Sequence, residues 1–176
     1  MRAKISNPRH LVTQAGFTLV ELIVVIVLLG ILGVTALGRF QDLSNEALSA
    51  SVEGVGAQFT SGVNSVHFKW IVDGSPGAVL NYLPVNSPIV SGSLSVNANG
   101  WPADIRGTSL TLNSAADCLD VWVAAMQPAP SISNSAGSAD YQAVYNGGNR
   151  CTYINQTDVT KNIQFDSNTG AVTITS

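Results

Sequence analysis

The chain has 176 residues, enough for one globular domain with an extension, because single domains usually contain about 100–150 residues. Only 11% of its residues are charged and 45% are hydrophobic, which excludes a disordered chain. The 8 basic and 11 acidic side chains form no Lys/Arg cluster that would neutralise phosphates, so we expect no nucleic-acid partner.

The first 38 residues combine a basic segment with a long apolar run. Arg2, Lys4 and Arg9 precede any acidic residue. Residues 17–38 then contain one charged side chain, that of Glu21. At about 1.5 Å per residue, a helix of this length crosses a hydrocarbon core about 30 Å thick. We therefore predict a transmembrane helix over residues 17–38, and the positive-inside preference places its N-terminus in the cytoplasm.

The start of the apolar run has a specific pattern. Gly16-Phe17-Thr18-Leu19-Val20-Glu21 precedes the uninterrupted apolar residues and closely resembles the processing signal of type IV prepilins and type II secretion pseudopilins. The resemblance implies that residues 1–16 are a leader, which a prepilin peptidase removes between Gly16 and Phe17, followed by N-methylation of Phe17. It also implies a precursor in the bacterial inner membrane, which the pilus assembly machinery adds to an extracellular filament of identical copies.

Glu21 is a carboxylate inside the predicted membrane span. Such a group costs about 2.5–3.5 kcal/mol on insertion scales, so it usually has a designated partner. After cleavage, the Phe17 amine of one subunit can pair with Glu21 of a neighbour, which neutralises both charges and sets the axial register. The alternative is a carboxylate that snorkels to the membrane interface.

Gly30, Gly33 and Gly38 interrupt the apolar run. Each glycine inside a helix costs about 1 kcal/mol relative to alanine. Two interpretations remain open. The glycines provide a face for close helix packing, or they mark a stretch that unwinds when the subunit leaves the lipid.

The helix is predicted to continue beyond the membrane as an amphipathic segment over residues 39–73. Apolar residues recur there at spacings of three and four, which is helical periodicity. They are Leu48, Val52, Val55, Phe59, Val63, Val66 and Trp70. The Asp73-Gly74-Ser75-Pro76-Gly77 run ends the pattern, so one helix over residues 17–72 is expected.

Residues 74–176 carry short β-like runs separated by turn residues. We predict strands at residues 89–90, 93–96, 109–112, 163–165 and 171–174. The last two form a C-terminal hairpin, and residues 115–126 form a short helix capped by Ser114. The expected fold class is α+β: a long N-terminal helix with an antiparallel β-sheet head packed on its second half.

Four motifs of this head follow one another in a recognisable order. They are WIVDG at 70–74, NANGWP at 97–102, DCLDVW at 117–122 and CTY at 151–153. This order resembles that of mannose-sensitive haemagglutinin (MSHA) pilins of Gram-negative bacteria, and it implies a structural subunit of a pilus used in attachment. A type II secretion pseudopilin or minor pilin, and a signal-anchored periplasmic binding protein or enzyme, are the alternatives.

The two cysteines, Cys118 and Cys151, do not form a C-x-x-C pair. In an exported subunit one intrachain disulfide is the better interpretation, and two reduced buried thiols are the alternative. The disulfide would bound the loop 118–151 and pin the exposed segment over residues 127–150 within it.

No motif in the sequence indicates catalysis, a metal or a cofactor. G-x-S-x-G and H-E-x-x-H are absent. Asp166, Asn168 and Gly170 are spaced like the start of a calcium loop, but no acidic residue follows to complete the 6–8 oxygen ligands. We therefore predict a plain hairpin turn there, no metal, no cofactor and no enzymatic activity.

Overall fold

The computed structural model describes residues 16–107 and 109–176, except for the side chains of residues 37, 38 and 41. The chain divides into two compact units, Met1–Ser44 and Asn45–Ser176, and helix α1 (Leu19–Val72) contributes to both. The predicted helix over residues 17–72 is confirmed to within two residues. The predicted leader, apart from Gly16, lies outside the described residues.

In the second unit, the predicted apolar stripe of α1 faces the core. Val52, Phe59, Val63 and Val66 are buried, and the other three members of the stripe are half-buried. Helical side chains three and four residues apart share one face, so the spacing alone identified this surface.

A three-stranded antiparallel sheet follows α1. It consists of β1 (Val79–Asn86), β2 (Ser91–Val96) and β3 (Pro102–Asp104), in the order β1-β2-β3. Its core face is formed largely by β2 and β3, where Leu94, Val96 and Ala103 are buried.

Helix α2 (Ala115–Ala125) confirms the predicted short helix. Ser114 is its N-cap, and Asp117 completes a capping box by accepting a hydrogen bond from the backbone N–H of Ser114. The helix stops at Met126, two residues before Pro128. These caps satisfy backbone groups that would otherwise lack partners at the helix ends.

A second sheet contains five strands in chain order. They are β4 (Ile132–Ser133), β5 (Tyr141–Tyr145), β6 (Arg150–Asn155), β7 (Asn162–Asp166) and β8 (Ala171–Thr175). β4 pairs with β5 in parallel, and the other pairs are antiparallel. The predicted C-terminal hairpin, β7–β8, is therefore confirmed.

An aromatic cluster joins α1 and α2 to the second sheet. The Phe59 ring lies 5.6 Å from Trp122, 5.2 Å from Tyr153 and 5.6 Å from Phe165, between ring centroids. The buried Trp122 also donates a hydrogen bond from its indole N–H to the Pro130 carbonyl oxygen at 3.0 Å. Edge-to-face and stacked pairs of this kind add to the energy of burial.

Two of the predicted strands are wrong. Residues 89–90 lie in the turn between β1 and β2, where the Ile89 N–H donates to the Ser87 hydroxyl instead of to a strand. Residues 109–112 form no strand either, because the Ser109 N–H donates to Asp104 and the Ser109 hydroxyl bonds the backbone of Thr111. In both segments, short polar side chains accept the backbone hydrogen bonds that a neighbouring strand would accept in a sheet.

The predicted loop over residues 127–150 contains two strands that the sequence did not indicate, β4 and β5. In β5, Tyr141 and Ala143 are buried, and the strand is bordered on both sides by other strands. Outside the strands, the residues of this segment are exposed or half-buried, with five consecutive exposed residues at 134–138. β1, β3, β4, β5 and β6 were not among the predicted strands.

Gly62 marks the closest approach of α1 to α2. A Cβ atom at this position would overlap the backbone carbonyl of Ala125. Backbone cannot rotate away as a flexible side chain can, so the two elements can pack this closely only because residue 62 has no side chain.

We expect Gly62→Ala to lower the free energy of unfolding by about 1–3 kcal/mol through overpacking. Gly54→Ala, on the same helix, is the control, because a Cβ there meets nothing within 4 Å. It should instead raise stability by up to about 1 kcal/mol through helix propensity. Thermal unfolding of the detergent-solubilised variants, followed by near-UV circular dichroism, distinguishes these outcomes, and equal midpoints for both variants would contradict the role of Gly62.

Candidate functional site

The residues of the predicted processing site lie at the start of α1. Gly16 and Phe17 precede the helix and are exposed. Thr18 is the N-cap, since its hydroxyl oxygen accepts a hydrogen bond from the Glu21 backbone N–H at 3.2 Å. Sequence reasoning missed this cap, although Thr18-Leu19-Val20-Glu21 has the spacing of a capping box.

Glu21 lies in the first turn of α1, four residues after Phe17. Its side chain is exposed, and none of the ion pairs among the described residues involves it. The Glu21 carboxylate is the one charged side chain of the apolar segment at 17–38.

None of the residues that the structure describes covers the apolar segment. Leu19–Ala36 has a mean hydropathy of 2.8 and is long and apolar enough to cross a membrane. Its large side chains are all exposed, from 43% for Val25 to 75% for Val34. A continuous apolar surface of this size requires lipid or other protein chains to remove it from water.

Gly30, Gly33 and Gly38 lie within α1, which is continuous through all three positions. At Gly30 and Gly33 an added Cβ would meet nothing within 4 Å. The chain itself therefore does not need glycine at these two positions. Packing against other helices and local unwinding remain the two open interpretations.

Cys118 of α2 and Cys151 of β6 form a disulfide with a Cα–Cα distance of 5.6 Å. The predicted disulfide is thus confirmed. Both residues are buried, and the Tyr153 hydroxyl donates to the Cys118 carbonyl oxygen at 3.0 Å beside them. The bridge ties the short helix to the centre of the five-stranded sheet.

The β7–β8 turn contains the residues considered as a calcium loop. One oxygen of Asp166 accepts hydrogen bonds from the backbone and side-chain N–H groups of Asn168, and the other lies 3.0 Å from Nε of Arg150. Asn168 in turn accepts from the Asn149 side chain at 2.8 Å. These bonds connect the β7–β8 turn to the turn between β5 and β6, and they are of the kind that stabilises a hairpin turn.

Side-chain amides also connect the two sheets. Asn97, which follows β2, donates to the Ser167 carbonyl oxygen at 2.6 Å, and Asn99 donates to the Asn168 carbonyl oxygen at 3.1 Å. The buried Ser167 hydroxyl completes the junction by donating to the Pro102 carbonyl oxygen at 3.0 Å. Polar side chains thus satisfy backbone groups where the turns of the two sheets meet.

Three buried carboxylates, Asp104, Asp117 and Asp120, lie around the segment between β3 and α2, with ligand oxygens within 4.8 Å of one another. Asp104 accepts from the Arg106 N–H at 2.8 Å, and Asp117 caps α2. Asp120 accepts from the Ile105 N–H at 3.4 Å and lies 3.0 Å from the Arg106 guanidinium. Together, these hydrogen bonds and the Asp120–Arg106 ion pair hold the segment between β3 and α2 in place.

Burial raises the pKa of Asp120 to about 7, because desolvation of its carboxylate outweighs the opposing attraction of Arg106. The neighbouring Asp104 carboxyl also raises this pKa. The unfolded chain has an ordinary aspartate pKa of about 3.9. The folded state therefore binds more protons between these values, and the stability that Asp120 contributes is lost as the pH rises towards 7.

Asp120→Asn should remove this pH dependence, since an amide cannot ionise. We expect the wild type to lose on the order of 2 kcal/mol of stability between pH 5 and pH 8 relative to this variant. Asp158→Asn is the control, because Thr160 lowers the pKa of the Asp158 carboxyl and its ionisation is complete below this window. Thermal midpoints across the pH range test the prediction, and parallel curves for wild type and Asp120→Asn would contradict it.

Comparison with known proteins defines the class of this chain. Residues 12–37 match the family model described as the prokaryotic N-terminal methylation motif. The chain is also 32% identical over 108 residues to the type IV narrow pilus major component PilA5 of Thermus thermophilus. That alignment covers 60% of this chain and 84% of the relative. No solved structure matches the chain.

A methylation-type leader, an exposed apolar helix and an α+β head together define a membrane-anchored precursor of the pilin type. The chain belongs to the type IV pilin family. The expected α+β fold class is confirmed, whereas the MSHA-like order of motifs remains a resemblance.

Proposed function

We propose that this chain is the structural subunit of a bacterial surface pilus used in attachment, as its resemblance to MSHA pilins implies. One observation supports this above all: an apolar span that the described residues leave uncovered lies within a methylation-type motif. A surface of this kind is suited first to lipid and then to packing against copies of itself. The name of the relative from Thermus, a major component of a type IV narrow pilus, also supports a filament subunit.

The proposed sequence of events follows from the segments of the chain. Residues 1–16 are a cytoplasmic leader that a prepilin peptidase removes, and the new Phe17 amine is methylated. Residues 17–38 hold the precursor in the bilayer, with residues 39–73 and the head at 74–176 on the far side. The assembly machinery then transfers the subunit from the inner membrane to the filament.

Glu21 has a specific role in this proposal. The Phe17 amine is positively charged after cleavage, so a subunit entering an apolar filament core brings one cation and one anion. Pairing between the amine of one subunit and Glu21 of its neighbour removes both isolated charges from the core. The exposed position of Glu21, one turn from Phe17, supports this pairing.

The intact mass of the subunit from sheared filaments tests the proposal. We expect a chain that begins at N-methylated Phe17 and contains the Cys118–Cys151 disulfide. Gly16→Val should block cleavage and leave the precursor in the membrane. A Cβ at Gly16 meets nothing within 4 Å among the described residues, so the expected block is attributed to the peptidase.

Gln14→Ala is the matched control, because it alters the leader two residues upstream and should leave processing intact. A mature chain that begins at Met1 or beyond Gly38 would overturn the proposal. So would a normal yield of processed filaments from Gly16→Val.

A further inference from the structure

The two sheets have four edge strands among the described residues, and three of them carry features that hinder pairing with another chain. β1 contains Pro84 and an irregular register between Val79 and Leu83. β3 has three residues and begins at Pro102, and β4 has only two residues. Natural proteins use prolines, bulges and short strands to protect exposed edges from such pairing.

β8 has none of these protective features. It has five residues, without proline or charge, and pairs with β7 at every position in a regular register. No other strand of the described chain lies on its second side. Ala171, Thr173 and Thr175 are exposed. The side of β8 that faces away from β7 therefore has backbone N–H and C=O groups that can pair with another strand.

We propose that the β8 edge pairs with the β8 edge of a second copy of this chain, antiparallel about Thr173. The sequence Ala-Val-Thr-Ile-Thr is suited to such self-pairing. Thr173 would face Thr173, and Val172 would face Ile174. Four of the five residues are β-branched, and cross-strand pairs of β-branched residues stabilise antiparallel sheets. No like charges would meet across the pair.

The symmetry of this pair determines where it forms. Two identical edges that pair antiparallel are related by a twofold axis, whereas successive subunits of a polar filament make head-to-tail contacts. The β8–β8 pair therefore joins two separate filaments side by side. This inference rests on the proposed function, because it requires that the chain forms filaments. Each filament repeats the edge many times, so pairs that are individually weak act together.

Charge outside β8 predicts how this association depends on salt. Residues 45–176 contain 9 acidic and 4 basic side chains, so two heads repel each other. Salt screens this repulsion, with a Debye length that falls from about 30 Å at 0.01 M to about 8 Å at 0.15 M. Backbone hydrogen bonds between the edges are little affected by salt. Lateral association should therefore increase with ionic strength.

Thr173→Lys tests the proposal on purified filaments, because it places like charges opposite each other at the centre of the pair. We expect at least about tenfold less filament in a low-speed pellet, since the loss is repeated at every contact. Gln164→Lys is the control. It adds the same charge on the same sheet face, directly beside Thr173 in the register, but on the inner strand β7. It should leave association unchanged.

Thr173→Glu provides a complementary arm. Filaments of Thr173→Glu alone should also disperse, while a mixture with Thr173→Lys filaments should associate again through opposite charges. Thr173→Cys should in addition give disulfide-linked dimers between filaments, because facing Cβ atoms lie about 4.5–5.5 Å apart, whereas Gln164→Cys should not.

The possible outcomes distinguish failure of the proposed function from failure of β8 edge pairing. If the wild-type chain forms no filaments, the proposed function fails. If filaments form but Thr173→Lys associates like the wild type, or if the two charged variants stay dispersed when mixed, edge pairing is overturned. Loss of filament assembly in Thr173→Lys, with normal subunit levels in the membrane, would place the edge inside the filament and would also overturn it.

Discussion

Glu21→Ala is expected to reduce surface filaments on the order of 100-fold while cleavage after Gly16 continues. Without the carboxylate, each subunit would carry an unpaired ammonium group at Phe17 into an apolar filament core. An unpaired charge in such an environment costs about 2.5–3.5 kcal/mol on insertion scales. Each 1.4 kcal/mol corresponds to about a factor of ten in an equilibrium constant, which gives the expected loss.

Two further variants sharpen this test. Asp42→Ala removes an exposed carboxylate from the same helix outside the apolar run, and it should leave assembly unchanged. Glu21→Asp keeps the charge and should retain most of the filaments. Electron microscopy of cells, together with immunoblots of membrane and sheared fractions, measures both processing and assembly. Normal filaments from Glu21→Ala would support the alternative, a carboxylate that snorkels to the interface.

Loss of the Cys118–Cys151 disulfide is expected to have the largest effect on the stability of the head. The bridge closes a loop with a sequence separation of 33 residues. In the chain-entropy model, closing a loop of this size stabilises the folded state by about 3–4 kcal/mol. The double variant Cys118→Ala/Cys151→Ala should therefore unfold roughly 10 °C below the wild type.

The reduced wild-type protein is the control for this experiment. Reduction opens the bridge without removing any side chain, so it should reproduce most of the shift seen in the double variant. Both measurements use near-UV circular dichroism of the detergent-solubilised chain. A double variant that unfolds at the wild-type temperature would show that α2 and the five-stranded sheet hold together without the bridge.

The correct parts of the sequence prediction rest on contacts that are close along the chain. The spacing of Val52, Phe59 and Val63 specified the buried face of α1, because helical periodicity repeats over one turn. Ser114 marked the start of α2, and the turn before β8 marked the C-terminal hairpin. The processing motif is likewise a local pattern, and it indicated the family before any fold was known.

Features that depend on hydrogen-bond partners distant in sequence could be assigned only from the tertiary structure. β5 lies in a segment whose small polar residues favoured a loop, and it is a strand because β4 and β6 provide its partners. The segment at 109–112 has β-like residues, but Asp104 takes the Ser109 N–H instead. Local propensity could not anticipate either outcome, since tertiary contacts override it.

The sequence alone was therefore sufficient to indicate that an apolar helix begins within a methylation-type motif, that its continuation has one core-facing stripe, and that a disulfide is expected in an exported head. The tertiary structure was needed to show that a Cβ at Gly62 would overlap the Ala125 backbone. It was also needed to show that three buried aspartates lie close together, one of them paired with the Arg106 guanidinium, and that β8 is the unprotected edge. The physical reason is that helix periodicity and caps involve neighbours within a few residues. Close packing, desolvation and edge exposure depend instead on which distant segments meet.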